Sequence, residues 1–190
     1  FVIPYTIGNF LSQDIRTGSI ATDSPEFVEA EQIARDRMEA FLNNKGTRSV
    51  DSFHKALGKI MWGKCGMARN AEDLKAAAAE IRDLRELFYQ EVKVTGTMDS
   101  MNPELDKAGR VADFMELGEL MCMDALAREE SCGGHFRTEY QSEDGEALRQ
   151  DDNMTFVSAW EFKGNDPGKS TLHKEDLVFE SVELKTRSYK

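Results

Sequence analysis

Apolar residues recur at helical spacing through roughly the first two thirds of the chain and at a spacing of two in the last third. Residues 1–16 form an apolar stretch that Thr17-Gly18 ends. Ser24-Pro25-Glu26 starts a second helix, with an N-cap ahead of a proline in the first helical position. Phe27, Ala30, Ile33 or Ala34, Met38 and Phe41 give it a stripe, and 43–46 stop it. A third helix is predicted over about 49–67, with Val50, Phe53, Leu57, Ile60 and Met61 on one face. A fourth begins at Asn70, with Asp73 in the capping-box place, and runs to about 94 through Leu74, Ala78, Ile81, Leu84, Phe88 and Val92. After a loop containing Gly96, Ser100 and Met101, Asn102-Pro103-Glu104 caps a fifth helix. That helix carries Leu105, Ala108, Val111, Met115, Met121 and Ala125 and reaches Glu130. Brief links favour antiparallel neighbours, so the pattern predicts a mainly α protein built as an up-and-down bundle whose stripes cover one another.

The character changes after His135. Residues 138–152 are acidic, with Arg149 the lone base, and read as an exposed connector. Residues 154–162 alternate with β-branched and aromatic content, 164–168 break the pattern, and 176–184 alternate again. This predicts a long-looped hairpin. A two-stranded ribbon is marginal alone in water, so it should lie against the bundle or a partner.

A chain of 190 residues, 40% hydrophobic and 31% charged, can build an ordinary core. The net charge of −11 argues against nucleic acid and against an anionic membrane surface. No segment is long enough to span a bilayer. Cys65, Cys122 and Cys132 form no even set and no Cys-x-x-Cys, which fits free thiols in a reducing compartment. The apolar opening at Phe1 suggests a fragment cut inside or just after a helix of an earlier domain.

No Gly-x-Gly-x-x-Gly follows a strand and no Walker-type loop is present, so the fragment is expected to hold no dinucleotide alone. Gly58, Gly63 and Gly66 lie in a helical segment and would permit close helix approach. Cys132 and His135 have the spacing of a nucleophile and base, but no third orienting residue accompanies them. His54, His135 and His173 are scattered, which disfavours a metal site. Met115, Met121 and Met123 read as adaptable core, and Trp62 as a packing residue. The stretch Ser131-Cys132-Gly133-Gly134-His135-Phe136-Arg137 stands out, because two glycines able to take positive φ are followed by a histidine and an arginine. One reading is a satisfied histidine and a surface ion pair. The other is a rigid turn that docks this domain onto a further part of the protein, with the fork of Arg137 pairing a carboxylate or carbonyls.

Several segments together resemble one family. Met61-Trp62-Gly63-Lys64-Cys65-Gly66-Met67-Ala68-Arg69 is similar to its Met-Trp-x-x-Val-Gly-x-x-Arg element, and 102–120 to its last long helix. Glu130-Ser131-Cys132-Gly133-Gly134-His135-Phe136-Arg137 resembles its Glu-Ser-Arg-Gly-Ala-His-x-Arg signature, and the chain closes on Thr186-Arg187-Ser188-Tyr189. The family is that of succinate dehydrogenase and fumarate reductase flavoprotein subunits. The Cys132 and Gly134 variants resemble its Bacteroidetes and soluble-tail branch, and no role for an arginine at position 132 carries over.

The resemblance implies a parent that binds FAD covalently, interconverts succinate and fumarate by hydride transfer, and passes electrons through an iron–sulfur subunit to a membrane quinone. The family's FAD domain and substrate-binding His and Arg would lie upstream of Phe1. The fragment would then carry no catalytic, cofactor-binding or metal-binding residue. It would be the C-terminal domain of the subunit, a spectrin-repeat-like three-helix bundle with a hairpin-bearing extension. Its expected divisions are 1–23 (end of an FAD-domain helix and linker), 24–130 (bundle) and 131–190 (turn, connector and tail). Ser131, Gly133, Gly134, His135, Arg137, Trp62 and Arg69 would be its docking residues. Its partners would be its own FAD-binding domain, the iron–sulfur subunit and, indirectly, a membrane anchor subunit, on the cytoplasmic side of the inner membrane. The corresponding domain of L-aspartate oxidase and a free-standing helical adaptor are the alternative readings.

Overall fold

A computed structural model describes residues 2–13, 21–164 and 166–185 of the chain. It divides into two compact units, Phe1–Ala40 and Phe41–Lys190. In the first, α1 spans Val2–Gln13 and α2 begins at Pro25 and runs to Asn43. The expected stop of the first helix at Thr17-Gly18 lies outside the described residues. On the stripe expected for α2, Phe27, Ile33 and Met38 are exposed, and Phe41 in the last turn is buried. Phe41 sits among Phe88 and Tyr89, with ring centroids 5.7 and 5.9 Å away.

The second unit continues through β1 (Arg48–Ser49), α3 (Val50–Lys64), β2 (Ala68–Arg69), α4 (Ala71–Glu91), β3 (Val92–Lys93) and α5 (Pro103–Ala127). Each long helix starts on a side-chain cap that accepts one of its orphan N–H groups. Ser49 accepts from the Ser52 N–H at 3.3 Å, Asn70 from Asp73 at 2.8 Å, and Asn102 from Leu105 at 3.1 Å. The Asn70 side-chain amide also donates to the Asp73 carboxylate at 2.7 Å, so Asp73 answers the cap through the Asn70 side chain, whereas a capping box would use the Asn70 backbone N–H. Phe53, Leu57, Leu74, Ile81, Phe88, Val111, Met115 and Cys122 meet in one core.

Short parallel pairings fix the topology. Arg48 lies opposite Val92, so the start of α3 neighbours the end of α4. With β4 at Phe136–Arg137, Ala68 lies opposite Phe136, so the start of α4 neighbours the chain just beyond the end of α5. The three helices are therefore alternately up and down, as the brief links imply. Of the three glycines expected to permit close approach only Gly66 is crowded, and by its own preceding turn: a Cβ there would lie 2.8 Å from the Trp62 carbonyl oxygen. A Cβ on Gly58 or Gly63 would meet nothing within 4 Å. One on Gly46 would lie 2.1 Å from the Glu91 carbonyl, and one on Gly118 would press Met61 Sδ at 3.3 Å.

The acidic connector is folded rather than merely solvated. Ser142 N donates to Glu146 O at 2.8 Å around Gly145, Leu148 N to Tyr140 O at 3.1 Å, and α6 covers Asp151–Met154. A hairpin follows, of β5 (Phe156–Glu161) antiparallel to β6 (Thr171–Asp176), with Trp160 opposite Leu172. The second strand ends where the expected one, 176–184, would begin. The 3₁₀ turn Pro167–Lys169 reverses the chain early enough for Thr171 to meet Glu161. Val178 and Val182 beyond it are exposed. The hairpin lies against α5: Trp160 Nε1 donates to Asp124 at 2.8 Å, and Arg128 donates to the carbonyls of Met154 and Phe156 at 3.0 and 2.8 Å.

The middle of the bundle holds a buried carboxylate. Glu119 is wholly enclosed and faces Arg82 at 2.6 Å and Arg85 at 2.7 Å. The Arg82 pair is hydrogen-bonded through two nitrogens, whereas the Arg85 contact is an ion pair without hydrogen-bond alignment. Removing one member of a buried ion group strands the others. Glu119→Ala is expected to lower the unfolding free energy by roughly 3 kcal/mol in a urea titration.

Candidate functional site

The resemblance-bearing residues converge where α5 ends. The helix stops at Ala127, three residues short of the expected limit, with its last carbonyls unsatisfied by the helix itself. Arg137 supplies what they lack. Its Nη1 donates to the carbonyls of Ala125 (3.0 Å), Leu126 (3.2 Å) and Arg128 (3.4 Å), and the side chain is 3% exposed. A cation there also suits the negative end of the helix dipole. His135 adds a fourth contact, its Nε2 lying 2.9 Å from the Arg128 carbonyl, to which it donates when that nitrogen carries the proton. Burial pushes the His135 imidazole below its ordinary 6.5; the carbonyl contact opposes this, and the charges of Arg69, Arg137 and Arg128 add to the lowering.

A tight reversal brings these side chains back. Cys132 and His135 exchange both backbone hydrogen bonds, at 2.8 and 3.0 Å, around Gly133-Gly134. Of the two glycines able to take positive φ, Gly133 does so at 58° and Gly134 does not. Positive φ at the first central position alone fits a type II′ turn. Ser131, fully buried, then locks Arg137: its Oγ accepts from Arg137 N at 2.8 Å and donates to Arg137 O at 3.0 Å.

The remaining face of the Arg137 fork meets Glu139, with Nε to Oε2 at 3.2 Å and Nη2 to Oε1 at 3.3 Å. Glu139 also accepts from the Ala71 N–H at 2.5 Å, at the start of α4. Partial burial works to raise its carboxyl, but Arg137, the Ala71 amide and its own amide hold it down at about 2. Pairing of Arg69 with Arg137 in β2 and β4, and Thr138 N on Arg69 O at 2.9 Å, tie in the α3–α4 link. Arg69 Nη2 reaches Gly134 O at 3.5 Å. One cluster thus gathers Arg69, Ser131, Gly133, Gly134, His135 and Arg137.

Trp62 stands apart from the expectation of a packing residue, being 88% exposed. It follows Met61 by one position, about 100° round the helix, and so leaves the buried face. Met115 is core, while Met121 is half in solvent. Cys65 and Cys122 are buried free thiols, and Cys132 is an exposed one. His135 is turned to a carbonyl rather than to that thiol. His54 tilts against Phe114 and His173 pairs with Glu161, and among the described residues no three metal-ligating side chains gather. Two functional groups escaped the sequence reading. Glu119 stood in the stripe between Met115 and Cys122, a buried position that its spacing could have revealed. Glu139 lay among acidic residues with nothing to distinguish it.

Among the described residues this cluster contains no glycine-rich turn leading into a helix, the arrangement that cradles a dinucleotide pyrophosphate. At the start of α4 Asn70 takes the Asp73 amide and Glu139 the Ala71 amide, at the start of α5 Asn102 takes the Leu105 amide, and the Gly133-Gly134 turn leads into β4. No step of flavin chemistry is assigned to them.

Arg137→Ala is expected to destabilise the chain by on the order of 3 kcal/mol, since several charge-assisted bonds to buried carbonyls disappear together, and to lower Tm by about 10 °C in thermal unfolding. The pH dependence has a definite sign. With the folded Glu139 at about 2 against an ordinary 4.5, its contribution is complete above pH 4.5 and lost as pH falls toward 2. Urea titrations between pH 5 and 2 should show stability falling less steeply in Glu139→Gln than in the unsubstituted chain.

A sequence profile described as fumarate reductase flavoprotein C-term matches residues 54–189. The fumarate reductase flavoprotein subunit of Helicobacter pylori strain J99 is 28% identical over 193 residues, covering 93% of this chain and 26% of that protein. An L-aspartate oxidase of Synechocystis is 25% identical over 100 residues, 46% of this chain and 18% of that protein. A solved quinol-fumarate reductase with menaquinol molecules shares the fold, with TM-score 0.69 and 22% identity over 90% of this chain and 28% of that one. The chain spans about a quarter of the length of the H. pylori relative. With more than two thirds of its residues inside the matched profile, the chain belongs to the family of fumarate reductase flavoprotein C-terminal domains.

Proposed function

We propose that this chain is the C-terminal structural domain of a succinate dehydrogenase or fumarate reductase flavoprotein subunit. Its parent interconverts succinate and fumarate at FAD and hands electrons to an iron–sulfur subunit that serves a membrane-anchored quinone site. The observation that carries this reading is the family match across 54–189, which takes in α4, α5 and the whole 131–137 turn. The bundle begins near residue 24 in this reading and the tail near 131.

The chain's own residues do no redox chemistry in this account. They form a stiff body whose end, locked by Arg137 and Ser131, is presented to the rest of the subunit. The exposed Cys132, Gly133 and Gly134 form the rim of that end. Among the described residues no helix is long and apolar enough to cross a membrane. The domain would reach the membrane through its partners on the cytoplasmic side.

The likeness to L-aspartate oxidase supports a second reading, in which the parent oxidises L-aspartate. Supplying each substrate to the longer protein with an artificial electron acceptor separates the two. Succinate-dependent reduction of the acceptor is expected, and aspartate-dependent reduction alone would favour the second. In that longer protein Arg137→Ala is expected to reduce flavin content and assembled yield several-fold, while KM of the remaining enzyme stays within about twofold. Normal flavin content with a changed KM would count against a structural role.

A further inference from the structure

The arginines at the end of α5 are not equally provided for. Arg128 has Glu130 at 2.7 Å and Arg137 has Glu139 at 3.2 Å. Arg69 has no carboxylate within 4.0 Å among the described residues. Among the described residues its buried Nε has no hydrogen-bond partner, and the one bond of its side chain, to Gly134 O, is stretched to 3.5 Å. Its backbone is nonetheless fixed by the pairing with Arg137 and by Thr138. A half-buried guanidinium thus stands on a fixed backbone with its fork largely unspent, which costs free energy in the chain as it stands. The chain has 35 Asp and Glu residues. A carboxylate for Arg69 was not hard to supply from within.

The surroundings have the composition of an interface centre. Met67, two residues before Arg69, is 79% exposed, and Trp62 in the last turn of α3 is 88% exposed. Tryptophan, methionine and arginine are the residues enriched where proteins meet. Gly134, whose carbonyl Arg69 reaches, and Gly133 before it have open space where a Cβ would stand, which leaves room for another backbone to come close.

We propose that Arg69 is the charged anchor of the contact between this domain and the flavin-bearing part of the same polypeptide. A carboxylate of that part accepts the guanidinium fork, while Trp62 and Met67 are covered beside it. The occupant is taken to be the same polypeptide because the chain spans only 26% of its H. pylori relative. The inference rests on the reading that the domain packs against a longer flavoprotein subunit.

The test compares amide hydrogen exchange of residues 62–69 and 132–135 in this chain and in the longer protein, with Arg69→Met and Arg69→Lys in each. Both segments are expected to exchange about tenfold or more slowly in the longer protein. R69M should abolish that slowing and R69K keep part of it, while R69M leaves Tm of this chain unchanged or raised, since an unpaired charge has been removed. Slowing that survives R69M overturns the anchor but leaves the packing reading standing. No slowing in the unsubstituted longer protein overturns both. An R69M-induced fall in Tm of this chain makes Arg69 an internal support and overturns the proposal.

Discussion

The end of the bundle is organised by one guanidinium. Two carbonyls of α5 and that of its C-cap residue Arg128 converge on Arg137 Nη1, and the opposite side of the same planar fork faces Glu139, whose carboxylate covers the first amide of α4. One side chain therefore joins the negative end of one helix to the positive end of another. A lysine carries comparable charge but has no planar fork to serve both directions at once. The Gly133 reversal and the Ser131 hydroxyl place the arginine there, so the glycine, serine and arginine act as one device.

That device makes the end of the domain stiff without enclosing it. Ser131 and Arg137 are spent inside, His135 is half spent, and the rim of Cys132 to Gly134, with Trp62 and Met67, faces outward. Farther along the bundle Glu119 clamps Arg82 and Arg85 of α4 to α5, and Gly46 lets the chain before β1 lie against Glu91. A module fixed in this way transmits a shape. In the proposed subunit its contribution is geometric: it offers a preformed surface for the flavin-bearing part to rest on, and leaves the chemistry to that part.

What could be read from the sequence was chiefly local. The caps at Asn70 and Asn102 announce themselves because a cap needs only its own first turn, and the core stripes of α3, α4 and α5 follow from a period of 3.6. The register of the hairpin could not be read, because it depends on where the 3₁₀ turn at Pro167 reverses the chain. The stripe of α2 has the right spacing, yet Phe27, Ile33 and Met38 are exposed, since periodicity marks a face without naming what meets it. The importance of 131–137 was visible in its glycines and its family likeness. That Arg137 turns inward onto α5 was not, because its partners are backbone carbonyls, which every residue has. The fate of Trp62 depended on a single step around the helix.

Site-resolved hydrogen exchange of the Arg137→Gln chain, at a temperature where it remains folded, tests the latch most directly. If Arg137 holds this end, the amides of Ser131, Cys132, His135, Thr138 and Leu148, all hydrogen-bonded in the native chain, lose their protection while those of β1 and β3 at the far end keep theirs. Retained protection at the first group, or an equal loss at both ends, would contradict the account.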